Sequence, residues 1–117
     1  MTDPLLISLQ QQLREFARAR DWEQFHTPKN LAMALTKEAA ELQEIFQWLT
    51  PGQSAQLDDK QRAHAEEELA DVLLYLCRLA DVLHIDLAQA AERKMQRNAD
   101  KNPAGLVRGK SAKYSEY

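Results

Sequence analysis

The 117-residue chain has one cysteine, three glycines and four prolines, and each scarcity excludes something. A lone thiol cannot close an internal disulfide, and Cys77 falls inside the apolar run Val72 to Val82, where a buried, inert thiol is expected. With so few turn formers and no alternating apolar and polar stretch of β-branched residues, a sheet-rich fold is excluded. No apolar run approaches the roughly 18 residues of a membrane span. Met1 leads into Thr2-Asp3-Pro4 rather than a basic and apolar leader, so the expected setting is cytoplasmic, with no membrane partner. Excess positive charge is also missing. The formal net charge is −3 with 28% charged residues of both signs, which gives no basic field to hold a nucleic-acid polymer.

What is present is helical periodicity, and the expected class is all-α in a single domain over residues 1–117, since the length suits one core. After Asp3-Pro4, the residues Leu5, Leu6, Leu9, Leu13, Phe16 and Ala17 recur at helical spacing up to Arg20. The stretch Asp21 to His26 lacks that period. Thr27-Pro28 then offers an N-cap with proline at the first helical position, and a second helix is expected from there to Thr50, where Pro51-Gly52 stops it. Gln53 to Leu57 reads as a polar loop. Asp58 or Asp59 can cap a third helix to about His84, apolar enough past Asp71 that it should be surrounded. Asp86 with Gln89 resembles a capping box for a last helix to about Asn98, and residues 103–117 are expected to form an irregular basic tail.

The chemistry lies in two acid-x-x-acid pairs, Glu38 with Glu41 on the second helix and Glu68 with Asp71 on the third. Three residues apart on a helix is about 60° around the axis, so both carboxylates of a pair aim to one side. Taken singly, such a pair reads as solvated helix surface. Here the pairs interrupt apolar stripes: Leu31, Leu35, Glu38, Leu42, Ile45 and Leu49 follow one line, and Glu68, Val72, Tyr75 and Leu79 another. Helices joined by a short loop should pack antiparallel and bring the pairs together. Two carboxylates about 6 Å apart repel by roughly 3 kcal/mol at an effective dielectric of about 20. A hard divalent cation removes that conflict, and magnesium suits an all-oxygen site that leaves positions for phosphate oxygens. His26, His64 and His84 lack a cysteine partner or regular ligand spacing, so zinc is not expected.

The segments Asp21 to His26, Glu38-Ala39-Ala40-Glu41 through Trp48, and Glu68-Leu69-Ala70-Asp71 through Leu76 resemble the MazG-like pyrophosphohydrolases, and within them the dCTP pyrophosphatase branch. The similarity continues through Lys94, Met95 and Asn98 into Arg108-Gly109-Lys110-Ser111-Ala112-Lys113-Tyr114, and so covers nearly the whole chain. It implies a bundle of four to five helices in which two subunits build the core and the active sites, as a homodimer or a pair of dimers. It implies magnesium on Glu38, Glu41, Glu68 and Asp71. It further implies house-cleaning hydrolysis of a nucleoside triphosphate, dCTP or a modified dCTP, to the monophosphate and pyrophosphate. By motif match, Trp22, Trp48 and Tyr75 would surround base and sugar, and Lys94 and Asn98 would face the phosphates. His26, in the segment of Trp22, joins the candidate substrate contacts. Leu13 stands where related enzymes can have a histidine that helps enclose the nucleotide, a departure that bears on base preference.

Triphosphate hydrolysis needs charge neutralisation and an aligned water more than a protein nucleophile. A cation on the four acids would serve both, with Glu41 or Glu38 as candidate catalytic base. Three rival readings differ in what they require. A non-enzymatic helical dimer predicts no magnesium dependence. A carboxylate-bridged di-iron bundle wants two Glu-x-x-His motifs on bundle helices, and Glu23-x-x-His26 lies in the irregular stretch. The third keeps the chemistry and changes the substrate to dUTP or a broad set of triphosphates.

Overall fold

The computed structural model describes residues 3–109, so the tail residues Lys110 to Tyr117 lie outside the described part. Among the described residues the structure is all-helical. Helix α1 (Pro4–Ala19) opens on Asp3, whose carboxylate accepts from the backbone N–H groups of Leu5 at 2.9 Å and Leu6 at 3.3 Å. It closes where Asp21 takes a left-handed φ of 53°, a conformation that Asp tolerates better than most residues. That reversal lets the Trp22 N–H donate to the Ala17 carbonyl at 2.9 Å and turns the chain back along the bundle. After one 3₁₀ turn (Glu23–Phe25), Thr27 caps α2 (Pro28–Phe46) by accepting from the Asn30 N–H at 3.1 Å.

Helix α2 ends at Phe46, short of the expected Thr50, and the Pro51-Gly52 pair opens a helix instead of only stopping one. The physical reason is local. Thr50 and Gln53 form a reciprocal capping box, and proline at the first helical position gives up no needed N–H, so the polar residues nucleate the single turn α3 (Pro51–Ser54). A second capping box, Asp58 with Gln61, starts α4 (Asp59–Val82). Asp86 caps α5 (Leu87–Lys101), and a further turn, α6 (Ala104–Val107), lies in what the sequence suggests is irregular tail.

Helix α4 is the central element, packing extensively on α2 and next on α1. Cys77 is fully buried, as expected. The core is nonetheless thin: among the described residues its buried apolar members are Ala17, Leu31, Ala65, Cys77 and Ala80. The expectation that α4 is surrounded is not met within one chain, because Leu69 is 55% exposed and Leu73 and Leu76 are also open. Helix α5 finds no comparable partner among the described residues, and its Met95 is 74% exposed. The radius of gyration is 17.6 Å, against about 13 Å for a compact domain of this length.

Candidate active site

Because α2 and α4 pack on each other, their acids converge. One carboxylate oxygen from each of Glu38, Glu41 and Glu68 lies within 4.8 Å of the other two. Glu68 is only 9% exposed, and Oε2 of both Glu38 and Glu68 is buried with no hydrogen-bond partner. Burial first, then the hydrogen bond to Glu41 and the charges of Glu41, Asp71 and Glu68, push the Glu38 carboxyl above its ordinary value. Two basic side chains stand at the edge of the cluster. His64 Nε2 stands 3.5 Å from Glu68 Oε1, and Lys37 Nζ, on an exposed side chain, 4.0 Å from Glu41 Oε1. Buried carboxylate oxygens without donors among the described residues, crowded to this degree, are a donor set that fits a hard divalent cation.

Beside the acids lies a cavity of about 570 Å³. Leu9, Leu13 and Phe16 of α1 form one wall, Trp22 and His26 of the turn another, and Asp71, Leu74, Tyr75 and Arg78 of α4 the floor. Asp71 therefore connects the two features: it lines the cavity, and its charge acts on Glu38, although it lies outside the triad of oxygens. The aromatic wall is braced from behind. Phe16 and Trp22 meet edge to face with centroids 5.7 Å apart, and the Arg20 guanidinium sits 3.6 Å over the Phe16 ring.

A polar chain runs along the far side. Arg14 of α1 donates to both oxygens of Asp81, at 2.6 and 3.1 Å, an arrangement that raises the Arg14 pKa. Asp81 Oδ2 also accepts from Arg78 Nη1 at 3.3 Å, and Arg78 Nε donates to His26 Nδ1 at 2.9 Å. Burial and then the Arg78 charge hold the His26 pKa below its ordinary value, against a weaker pull from Glu23.

The MazG-like family model matches residues 34–116, which contain both acid pairs. The chain belongs to the MazG-like family.

Among MazG-like relatives, it is 46% identical to dCTP pyrophosphatase 1 of Mus musculus over 97% of this chain and 68% of that protein. It is 45% identical to dCTP pyrophosphatase 1 of Homo sapiens, with the same coverage. A crystal structure of a pyrophosphatase from Archaeoglobus fulgidus superposes with a TM-score of 0.80 at 41% identity, covering 88% of this chain and 96% of that one.

The single chain thus brings Glu38, Glu41 and Glu68 together, sets Asp71 beside them, and gathers Trp22, His26 and Tyr75 around the adjoining cavity. Trp48, Lys94 and Asn98 are not among the residues lining that cavity. Trp48 is 87% exposed near the end of α2, and Lys94 and Asn98 stand on the open α5. Sequence reasoning missed Arg78, which is 7% exposed against the cavity. A signal existed, since an arginine in the otherwise apolar stretch from Val72 to Ala80 cannot be buried without a partner.

Proposed function

We propose that the protein is a magnesium-dependent nucleoside triphosphate pyrophosphohydrolase that splits dCTP, or a dCTP with a modified base, between the α and β phosphates. The observation that carries this is the juxtaposition of an acid cluster holding two donorless buried oxygens with an aromatic-walled cavity, joined through Asp71. Its similarity to dCTP pyrophosphatase 1 supports the reaction class and the base.

Glu38, Glu41, Glu68 and Asp71 would hold the cation, which when bound supplies charge neutralisation and a more acidic water. The chain's own residues do the rest. Trp22 offers a flat face for stacking a base, and the apolar wall of Leu9, Leu13 and Phe16 excludes water from it. Tyr75, one turn past Asp71, packs its ring in the cavity. Glu38 and the more open Glu41, both in the acid cluster, are the groups we assign to accept a proton from the attacking water. Asp71 lines the cavity and its charge acts on Glu38, so it joins the cavity to the acids.

Self-association is part of the proposal. A thin core, an extended shape and open leucines along α4 are what a chain leaves for a second copy to cover. Trp48, Lys94 and Asn98 would then reach a site from a neighbouring copy. A cytoplasmic setting goes with a soluble nucleotide substrate.

The decisive assay incubates the protein with canonical and 5-modified triphosphates, with and without Mg²⁺, and resolves the products. Monophosphate and pyrophosphate formed only with the cation support the proposal. Diphosphate plus orthophosphate, activity unchanged by EDTA, or activity retained in Glu41→Gln and Asp71→Asn would each sink it.

A further inference from the structure

We propose that Arg78 is a positioning residue of the cavity: by donating Nε–H to His26 Nδ1 it fixes the imidazole in the one tautomer that carries its proton on Nε2. The proposal rests on the cavity being the substrate pocket.

The argument starts from what arginine lacks. A guanidinium has five N–H donors and no acceptor, so an atom 2.9 Å from Arg78 Nε in a hydrogen bond must itself accept. Which nitrogen of a histidine carries the proton is usually a matter of assignment, but here the partner leaves one answer. Nδ1 holds the lone pair, and Nε2 holds the hydrogen. This cavity-lining ring is thereby committed to carry a donor, not an acceptor, at its other nitrogen. A donor there suits a substrate group with a lone pair, such as the ring nitrogen or carbonyl oxygen of a pyrimidine edge.

A purely structural role for Arg78, as the ion-pair partner of Asp81, explains less. Arg14 already gives Asp81 a two-pronged partner at 2.6 and 3.1 Å, while Arg78 reaches it with Nη1 alone at 3.3 Å. Asp81 is better read as the post that sets the angle of the Arg78 fork, so that Nε meets the histidine. The chain Arg14, Asp81, Arg78, His26 ties α1 and α4 to the turn that carries Trp22, so the orientation of His26 and the width of the cavity are set together.

Burial, first, keeps His26 toward its neutral form. Arg78, from α4, opposes protonation, Glu23 on the adjoining turn favours it, and α1 faces the cavity with Leu9, Leu13, Phe16 and the neutral Gln12. Asp71 lines the same cavity from α4.

The test is a long-range ¹H–¹⁵N correlation spectrum of the full chain, with the His26 signals assigned by their loss in His26→Gln. In the wild type the pattern should be that of the neutral Nε2–H tautomer throughout the neutral range. In Arg78→Met both tautomers should appear, and KM for dCTP should rise about threefold to tenfold, more than kcat falls, as loss of one oriented hydrogen bond implies. A wild-type spectrum showing the Nδ1–H form or a mixture overturns the proposal whether or not the variant folds. So does an Arg78→Met protein whose tautomers scramble while KM stays put. Should His26→Gln bind dCTP as well as the wild type, the pocket assignment fails instead, and the tautomer result stands apart from it.

Discussion

Removing one charge from the acid cluster should stabilise the protein without cation and weaken its response to magnesium, and Glu68→Gln is the substitution that shows it. The triad oxygens lie within 4.8 Å of one another, so each fully charged pair repels by about 3.5 kcal/mol at an effective dielectric of about 20. Not all of that is recoverable. Glu38 is held toward its protonated form, and Glu41 is more than a third open to screening. A net gain of about 1 to 2 kcal/mol remains for Glu68→Gln in EDTA, which for a chain of this length raises Tm by about 4 to 8 °C. Saturating Mg²⁺ reverses the order, because a cation at a hundred times its dissociation constant adds about 2.7 kcal/mol to the wild type and less to a site missing one carboxylate. Calorimetry at one fixed protein concentration, with EDTA and then with Mg²⁺, reads both values. A Glu68→Gln protein that melts below the wild type in EDTA, or that gains as much from magnesium, would refute the view that these acids are held in conflict until a cation arrives.

Two further outcomes follow from the cavity. Trp22→Ala should raise KM for dCTP by roughly 5-fold to 150-fold, the range set by about 1 to 3 kcal/mol of base stacking, and an unaltered KM in steady-state kinetics rejects Trp22 as the base contact. The depressed His26 pKa gives a pH signature: the unfolded state takes up a proton first, so stability present above about pH 6.5 is lost as pH falls from there through the folded value. His26→Gln should flatten that slope in urea titrations between about pH 7 and pH 5, and an unchanged slope assigns the acid sensitivity to other groups.

Helical starts were legible in the sequence because they are set by neighbours. Asp3, Thr27, Asp58 and Asp86 each cap the helix that their position announces, through bonds no more than a few residues long. Glu38, Glu41 and Glu68 were legible because three-residue spacing on an apolar stripe fixes direction, and the packing of α2 on α4 does the rest. The end of α2 was not, since Pro51-Gly52 reads equally as a stop or as a start, and only the Thr50 and Gln53 side chains decide between them. Arg78 was hidden for another reason: its partners His26 and Asp81 sit 52 and 3 residues away, and no local pattern links a 3₁₀ turn to the far half of α4.

The exposed leucines of α4 and the position of Trp48 form one problem with one solution. An 87% exposed tryptophan and a central helix with Leu69, Leu73 and Leu76 open to water are costly on a monomer, at about 25 cal/mol for each Å² of apolar surface left wet. A second copy laid along α4 relieves that cost and, by the same contact, can carry Trp48 toward a cavity that its own chain does not let it line. Catalysis should then depend on association. Sedimentation should give a multiple of the 13.4 kDa chain mass, and Leu69→Lys, which places a charge on the open face of α4 away from the cavity-lining residues, should lower both the mass and the specific activity. Mixing Trp48→Ala chains with chains disabled by Asp71→Asn tests the sharing directly: hybrid assemblies regain part of the activity if one copy supplies the tryptophan to the acids of another. No recovery on mixing, with hybrids shown to form, would confine the whole site to one chain.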